Sequence, residues 1–243
     1  MANKLLNIDQ NFKTAKGQAF GYMTGILHLA SSIESGYNTC AFASAGCAAA
    51  CLFRSGNSLM FKCVNADRIA KTKLLFEHRA EFMAQLEKDI EGGLRKAERE
   101  DKEFVVRLNG TSDLLVETWG LMEKFPNTKF YDYTKNPIRM NKFMAGKMPK
   151  NYHLTFSLSE TNKVLVQGVM AGGGNVAMVF RTRDKEKLPK TYMGKKVISG
   201  DKNDLRFLDP KGVIVGLTMK GRAQRDTSGF IQPLIEERVL VAA

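Results

Sequence analysis

Four cysteines stand in the 243-residue chain, and three of them fall in one short stretch, CAFASAGCAAAC, from Cys40 to Cys51. Between these thiols lie only Ala, Gly, Ser and one Phe, and the fourth cysteine, Cys63, follows closely. The spacing is C-x6-C-x3-C, then eleven residues to Cys63. Structural zinc sites are usually built from two short knuckles, and only Cys47 and Cys51 have that separation. Iron–sulfur clusters accept more varied spacing and need thiolates on a loop that wraps a bulky inorganic core. Small side chains let backbone N–H groups approach sulfide, and their methyl groups keep water out. The pattern therefore points first to a [4Fe-4S] cluster on Cys40, Cys47 and Cys51, with a zinc ion or buried inert thiols as the other readings. Four ligands would close such a cluster for electron transfer or structure. Three would leave one iron open to a small molecule, and Cys63 decides between the two.

A site of this kind needs elements to hold it. Of the chain, 44% is hydrophobic and 26% charged, the balance of an ordinary globular protein long enough to bury a core. No apolar run approaches a bilayer-spanning length, and the opening MANKLLNIDQNFKTAKGQ lacks the apolar core of a signal peptide. The expected compartment is the cytoplasm, where thiols stay reduced and clustered cysteines bind metal or react. Basic residues outnumber acidic ones by 37 to 25, a net charge of +12. That excess suits polyanionic partners, nucleic acid above all, although the basic residues are dispersed in moderate clusters rather than in a tail.

Runs rich in β-branched and aromatic residues recur at 21–30, 104–108, 129–133, 152–157, 175–180, 196–199 and 212–218. Several are apolar at both parities, as strands buried on both faces of a parallel sheet are. Between them the spacing predicts a long helix over 65–98 and shorter ones over 114–124, 138–145 and 160–171, the last stopped at Gly172–Gly174. Such alternation predicts one α/β domain over 1–243, a partial (β/α) barrel of six to seven mostly parallel strands. The cysteine loop, 38–63, follows the first strand, and a C-terminal tail occupies 231–243.

In barrels of this type the site forms at the carboxyl ends of the strands. The residues just past each predicted strand are polar: Asn109, Thr111 and Asp113; Asp132, Tyr133, Thr134 and Lys135; Ser157 and Ser159; Arg181; Asp201, Asp204, Arg206 and Asp209; Lys220 and Arg222. Asn109, Asp113, Asp132, Lys135, Arg181 and Arg206 are the candidates for a site beside the cysteines. Lys135 and Arg181 suit a carboxylate or phosphate, and Asp113 or Asp132 suits ribose hydroxyls or an amine. Structural ion pairing among the same residues is the competing reading. The three histidines, His28, His78 and His153, show no ligand spacing and read as structural. There is no phosphate-binding loop, dinucleotide fingerprint or nucleophile elbow.

The blocks GYMTGILHLASSIESGYNTCAFASAGCAAACL, VRLNGTSD, FYDYTK, NYHLTFS, GNVAMVFR, GDKNDLRFLDPKGVIVGLTMKG and DTSGF together resemble the bacteriophage "gene product eighty-eight" family, over about residues 3–230. The resemblance implies a motif carrying Cys40, Cys47 and Cys51 without Cys63. It also implies family positions at Arg107, Asn109, Asp113, Asp132, Tyr133, Lys135, Asp201, Asp204, Arg206 and Asp209. A looser architectural likeness is to radical S-adenosylmethionine enzymes, whose open iron binds that cofactor, but their spacing is C-x3-C-x2-C. Two functions follow as expectations. One is an iron–sulfur enzyme, with S-adenosylmethionine as a candidate cofactor. The other is a non-catalytic iron–sulfur protein that engages nucleic acid or a host protein through its basic surface.

Overall fold

The computed structural model describes residues 4–8, 15–54 and 60–235. Nine strands form one sheet: β1 (Leu6–Ile8), β2 (Tyr22–Leu27), β3 (Glu103–Arg107), β4 (Lys129–Thr134), β5 (Tyr152–Ser157), β6 (Val176–Phe180), β7 (Thr191–Tyr192), β8 (Lys195–Ser199) and β9 (Ile214–Thr218). Their order is β1-β2-β3-β4-β5-β6-β9-β8-β7. From β2 to β6 each strand pairs in parallel with the next in sequence, and β9 continues the parallel run between β6 and β8. Among the described residues, the antiparallel strands are β1 and β7, at the two edges.

The sheet is mostly parallel, as expected, but it does not close, and among the described residues its strands number nine rather than six or seven. The two unforeseen strands span three and two residues, too short to show any periodicity. The cysteine segment accordingly follows β2, the second strand of the chain and the first parallel one. Residues 55–59 of that loop and residues 236–243 of the expected tail lie outside the described residues.

The long helix expected over 65–98 is two helices, α2 (Lys62–Glu77) and α3 (Arg79–Arg99), broken at His78 with φ −135° and ψ 55°. Apolar residues keep helical spacing through the break, so periodicity alone does not reveal it. Helix α1 (Ala45–Ala49) lies in the cysteine segment, and residues 114–124 form a 3-10 turn and the single turn α4 (Leu121–Lys124), parted by Gly120 at φ +77°. Helix α5 (Pro137–Met144) starts where its signals say it should. Asn136 Oδ1 accepts from the backbone N–H groups of Ile138 and Arg139, and Pro137 takes the first turn. Helix α6 (Lys163–Ala171) ends before Gly173, at φ +80°.

Because successive parallel strands are neighbours, right-handed crossovers put the helices on one face of the sheet. On that helix face, Phe82, Leu86 and Ile90 of α3, fully buried, pack with Met23, Leu27, Phe104 and Val106. Met140, Val166 and Met170 join the same core with Phe130, Leu154, Phe156 and Met178. Each of these large side chains contributes about 1.5–3 kcal/mol by leaving water. Gly93 of α3 is needed for the fit: a Cβ there would lie 2.1 Å from Phe104 Cζ. The far face carries a smaller apolar cluster of Val105, Tyr131 and Leu205 with Tyr22 and Phe207. Strand alternation thus sends Tyr22, Val105 and Tyr131 to the side opposite Met23, Phe104 and Phe130. Residues 200–209 return across that far face.

Candidate functional site

The cysteine segment lies across the carboxyl ends of the parallel strands, and its contacts show this strand by strand. Near β3, Cys40 Sγ is 3.8 Å from the Thr111 carbonyl, and Asp113 N donates to Thr39 O at 2.9 Å. Past β5, Glu160 accepts from Ser44 Oγ and from Gly46 N, both at 2.7 Å. Ser44 also caps α1, accepting from Cys47 N at 3.2 Å. Toward β6 and β9, Ala50 packs with Val179, Met219, Ala223 and Ile231. Cys51 Sγ donates to Ser31 Oγ at 3.2 Å, next to the end of β2.

The small residues have a packing reason here. A Cβ on Gly46 would stand 2.1 Å from Ser228 Oγ and 2.8 Å from Phe230 Cβ, so the segment is pressed against residues 228–230. Cys40, Cys47 and Cys51 are each partly buried, whereas Cys63 is exposed on α2. Burial pushes the Cys40 thiol up, opposed by hydrogen bonds from Ser32 and Thr39. The donor set is that of a soft metal or cluster: three half-buried thiols on one segment. Among the described residues, however, no three His, Cys, Asp or Glu side chains meet in a metal-holding group.

The candidates Asn109, Asp113 and Asp132 do come together, with the Lys135 backbone, on the helix side of the sheet. Asp132 accepts from Asn109 N at 2.7 Å and from Tyr152 OH at 2.9 Å. Arg139, 1% exposed, donates to Tyr152 OH at 2.6 Å, to Asp113 at 2.6 Å and to Glu117 at 2.8 and 3.0 Å. Asp113 also accepts from Thr134 Oγ1 and Lys135 N, both at 2.8 Å. The Asn109 amide is held by Ser112, by Leu114 N and by the Leu114 carbonyl. Burial pushes Asp132 up to about 6, against the pull of Arg107, Arg139 and its donors. Burial also opposes the charge of Arg139, but Tyr152, Asp113 and Glu117 outweigh it and raise its pKa. The hydrogen-bonding capacity of this network is taken up within itself.

The other three candidates lie elsewhere. Lys135 Nζ sits 5.6 Å from the centre of the Phe230 ring, and exposed Arg181 donates to the Asp226 carbonyl at 2.8 Å. Arg206, fully buried on the far face, donates to the Asn203 carbonyl at 2.8 Å and lies 3.3 Å from Asp209. It has company there that sequence spacing did not reveal. Arg107 pairs with Asp204 at 2.7 Å and lies 4.8 Å over the Tyr133 ring. Burial, with the charges of Arg68, Arg107 and Lys71, holds His28 down to about 3; burial, with Arg206, holds His153 down to about 4. Both imidazoles are therefore neutral.

Several buried polar atoms of the far face and its rim find no hydrogen-bond partner among the described residues: His28 Nδ1, Arg107 Nε, His153 Nε2, Thr155 Oγ1, Ser199 Oγ, Arg206 Nε and, near Cys51, Arg68 Nη1. Buried polar groups are almost always satisfied by protein, water or ligand, so each of these atoms has room in its hydrogen-bonding for a further partner. The signal in the sequence was period two: Tyr22, Thr24 and His28 share one parity of β2 and its extension, and His153, Thr155 and Ser157 share one parity of β5. Two of the three histidines, His28 and His153, lie in this row, and His78 stands at the break between α2 and α3.

Fold and site together define an α/β protein with an open, mostly parallel sheet, a thiol-bearing segment over its strand ends and a polar far face beneath. The chain belongs to the gene product 88 family, whose model matches residues 3–233. No curated protein and no solved structure matches it. No helix among the described residues is long and apolar enough to cross a membrane.

Proposed function

We propose that Cys40, Cys47 and Cys51 bind an iron–sulfur cluster, most simply [4Fe-4S], over the carboxyl ends of the strands, with a polar small molecule held on the far face below. One observation carries this reading. The cysteine segment and the row of unsatisfied polar groups adjoin, since Ser31, the partner of Cys51, lies three residues beyond His28. The small side chains between the thiols leave room beside them for a body larger than one ion. When bound, such a cluster supplies electrons one at a time.

The chain's own groups have defined parts in this reading. Cys63 stays outside it, exposed on α2. Arg107 is fixed by Asp204 with its Nε still unused, so it can hold an acceptor atom without moving. Neutral His28, near Arg107, offers its Nδ1 to such a ligand, while His153 Nε2 and Thr155 Oγ1 lie on β5, three strands away. S-adenosylmethionine is one ligand to try, given its carboxylate, amine and ribose hydroxyls.

The test is iron and sulfide analysis of anaerobically prepared protein. About four of each per chain are expected. Cys40→Ala, Cys47→Ala and Cys51→Ala should each lose them, while Cys63→Ala should keep a cluster. Colourless protein carrying one zinc would refute the reading. A cluster whose spectrum ignores S-adenosylmethionine would leave the binding claim standing and remove that cofactor.

A further inference from the structure

The net charge of +12 is unevenly placed. Residues 181–190 carry five basic side chains against two acidic, and residues 220–225 three against none. These two stretches alone hold a net of six, half of the chain's excess. They are distant in sequence, and the fold joins them. Strands β6 and β9 pair in parallel with Phe180 opposite Thr218, and Met219 N donates to Thr182 O at 2.9 Å. Arg183 then donates to Gln224, and Arg181 to the Asp226 carbonyl. One rim at the carboxyl ends of β6 and β9 thus presents Arg181, Arg183, Arg222 and Arg225, all exposed.

The rim's charges are largely uncompensated. Lys220 pairs with Asp201 and Lys185 with Glu186, but Arg183, Arg222 and Arg225 make no ion pair among the described residues. The carboxylate of Asp226 accepts from Ser228 and from Ile231 N. Arg222, Arg225 and Asp226 also border a cavity of about 320 Å³, whose other wall is Ala49 and Ala50 beside Cys51. No exposed large apolar side chain falls in either stretch, so the rim offers a bilayer no wedge.

We propose that this rim is a binding site for the phosphodiester backbone of a nucleic acid. Arginine forks match phosphate oxygens in geometry as well as charge, and four of them on one edge follow a chain of phosphates better than one isolated anion. The cavity receives one phosphate between Arg222 and Arg225. The site uses no cysteine, so it stands or falls separately from cluster binding.

The experiment is fluorescence anisotropy of a short labelled DNA oligonucleotide, single-stranded and duplex, titrated with the full-length protein. Wild-type affinity should fall roughly tenfold or more between 50 and 200 mM salt. The triple variant Arg183→Glu, Arg222→Glu, Arg225→Glu should lose tenfold or more with a flatter salt slope, its fold checked by circular dichroism. The control reverses the same amount of charge at Lys142, Lys147 and Lys150, exposed in the last turn of α5 and in the loop from there to the start of β5. It should bind within about twofold of wild type, because screened charges that far away contribute little. Equal loss in both variants would overturn the proposal by showing generic attraction to a basic protein. So would no binding at 50 mM salt, or binding only to vesicles of anionic phospholipid.

Discussion

Both faces of the sheet bury polar groups among apolar ones, and they differ in what those polar groups do. On the helix face, Asp132, Tyr152, Arg139, Asp113 and Glu117 form a chain in which each group meets another at 2.6–3.0 Å. On the far face, His28, Arg107, His153, Thr155 and Arg206 each keep a buried atom without a partner among the described residues. Closed networks of the first kind fix a structure, because any missing member leaves a buried charge exposed to low dielectric. Open rows of the second kind weaken a fold unless a ligand or water completes them. Three of the residues that spacing put forward for ligand chemistry, Asn109, Asp113 and Asp132, stand in the closed network.

The largest effect expected from this contrast is at Arg139. Arg139→Met strips the countercharge from Asp113 and Glu117 and should cost about 3–5 kcal/mol of folding stability, read from denaturant unfolding. A cost below 1 kcal/mol would show that the network is solvated after all.

A matched pair of substitutions comes next. Tyr152→Phe removes the hydroxyl joining Arg139 to Asp132 and should cost about 1–3 kcal/mol. Thr155→Val on the far face removes a buried hydroxyl that holds no partner, and should cost less than about 0.5 kcal/mol or stabilise the free protein. Equal costs would erase the distinction between the faces.

The pH dependence is smaller and has a worked sign. His28 and His153 have folded pKa values of about 3 and 4, below their ordinary 6.5. Between those limits the unfolded chain binds more protons, so stability is lost as pH falls below about 6.5. Each histidine should remove about 1–2 kcal/mol between pH 7 and pH 5. Asp132, raised to about 6, works in the opposite direction: its folded form binds more protons between pH 4 and 6, which offsets part of the loss. His153→Gln should therefore flatten the profile and Asp132→Asn should steepen it, measured as unfolding midpoints from pH 5 to 7. A wild-type profile level across that range would contradict the burial of both histidines.

Much of the scaffold was legible in the sequence because it depends on local pattern. The seven longer strands announced themselves as β-branched and aromatic runs, and α5 by its Asn136–Pro137 start. What was hidden depends on distance. Arg107 meets Asp204 across ninety-seven positions, and Arg139 reaches Asp113 from another element. Neither pairing leaves a periodic trace. The break at His78 was hidden for the opposite reason, since Phe76 and Phe82 continue the apolar rhythm straight through it. The cysteines were visible at once, yet their placement over the strand ends came only with Glu160, Thr111 and Ala223, which belong to three other stretches.

The central claim is that three thiols, and not the fourth, hold a cluster above the far face. Electron paramagnetic resonance of the anaerobic, dithionite-reduced protein tests it most directly. The account predicts a cluster signal in wild type that persists in Cys63→Ala and disappears in Cys40→Ala, Cys47→Ala and Cys51→Ala. Absence of any signal from wild-type protein, or its loss in Cys63→Ala together with retention in one of the other three, would contradict it.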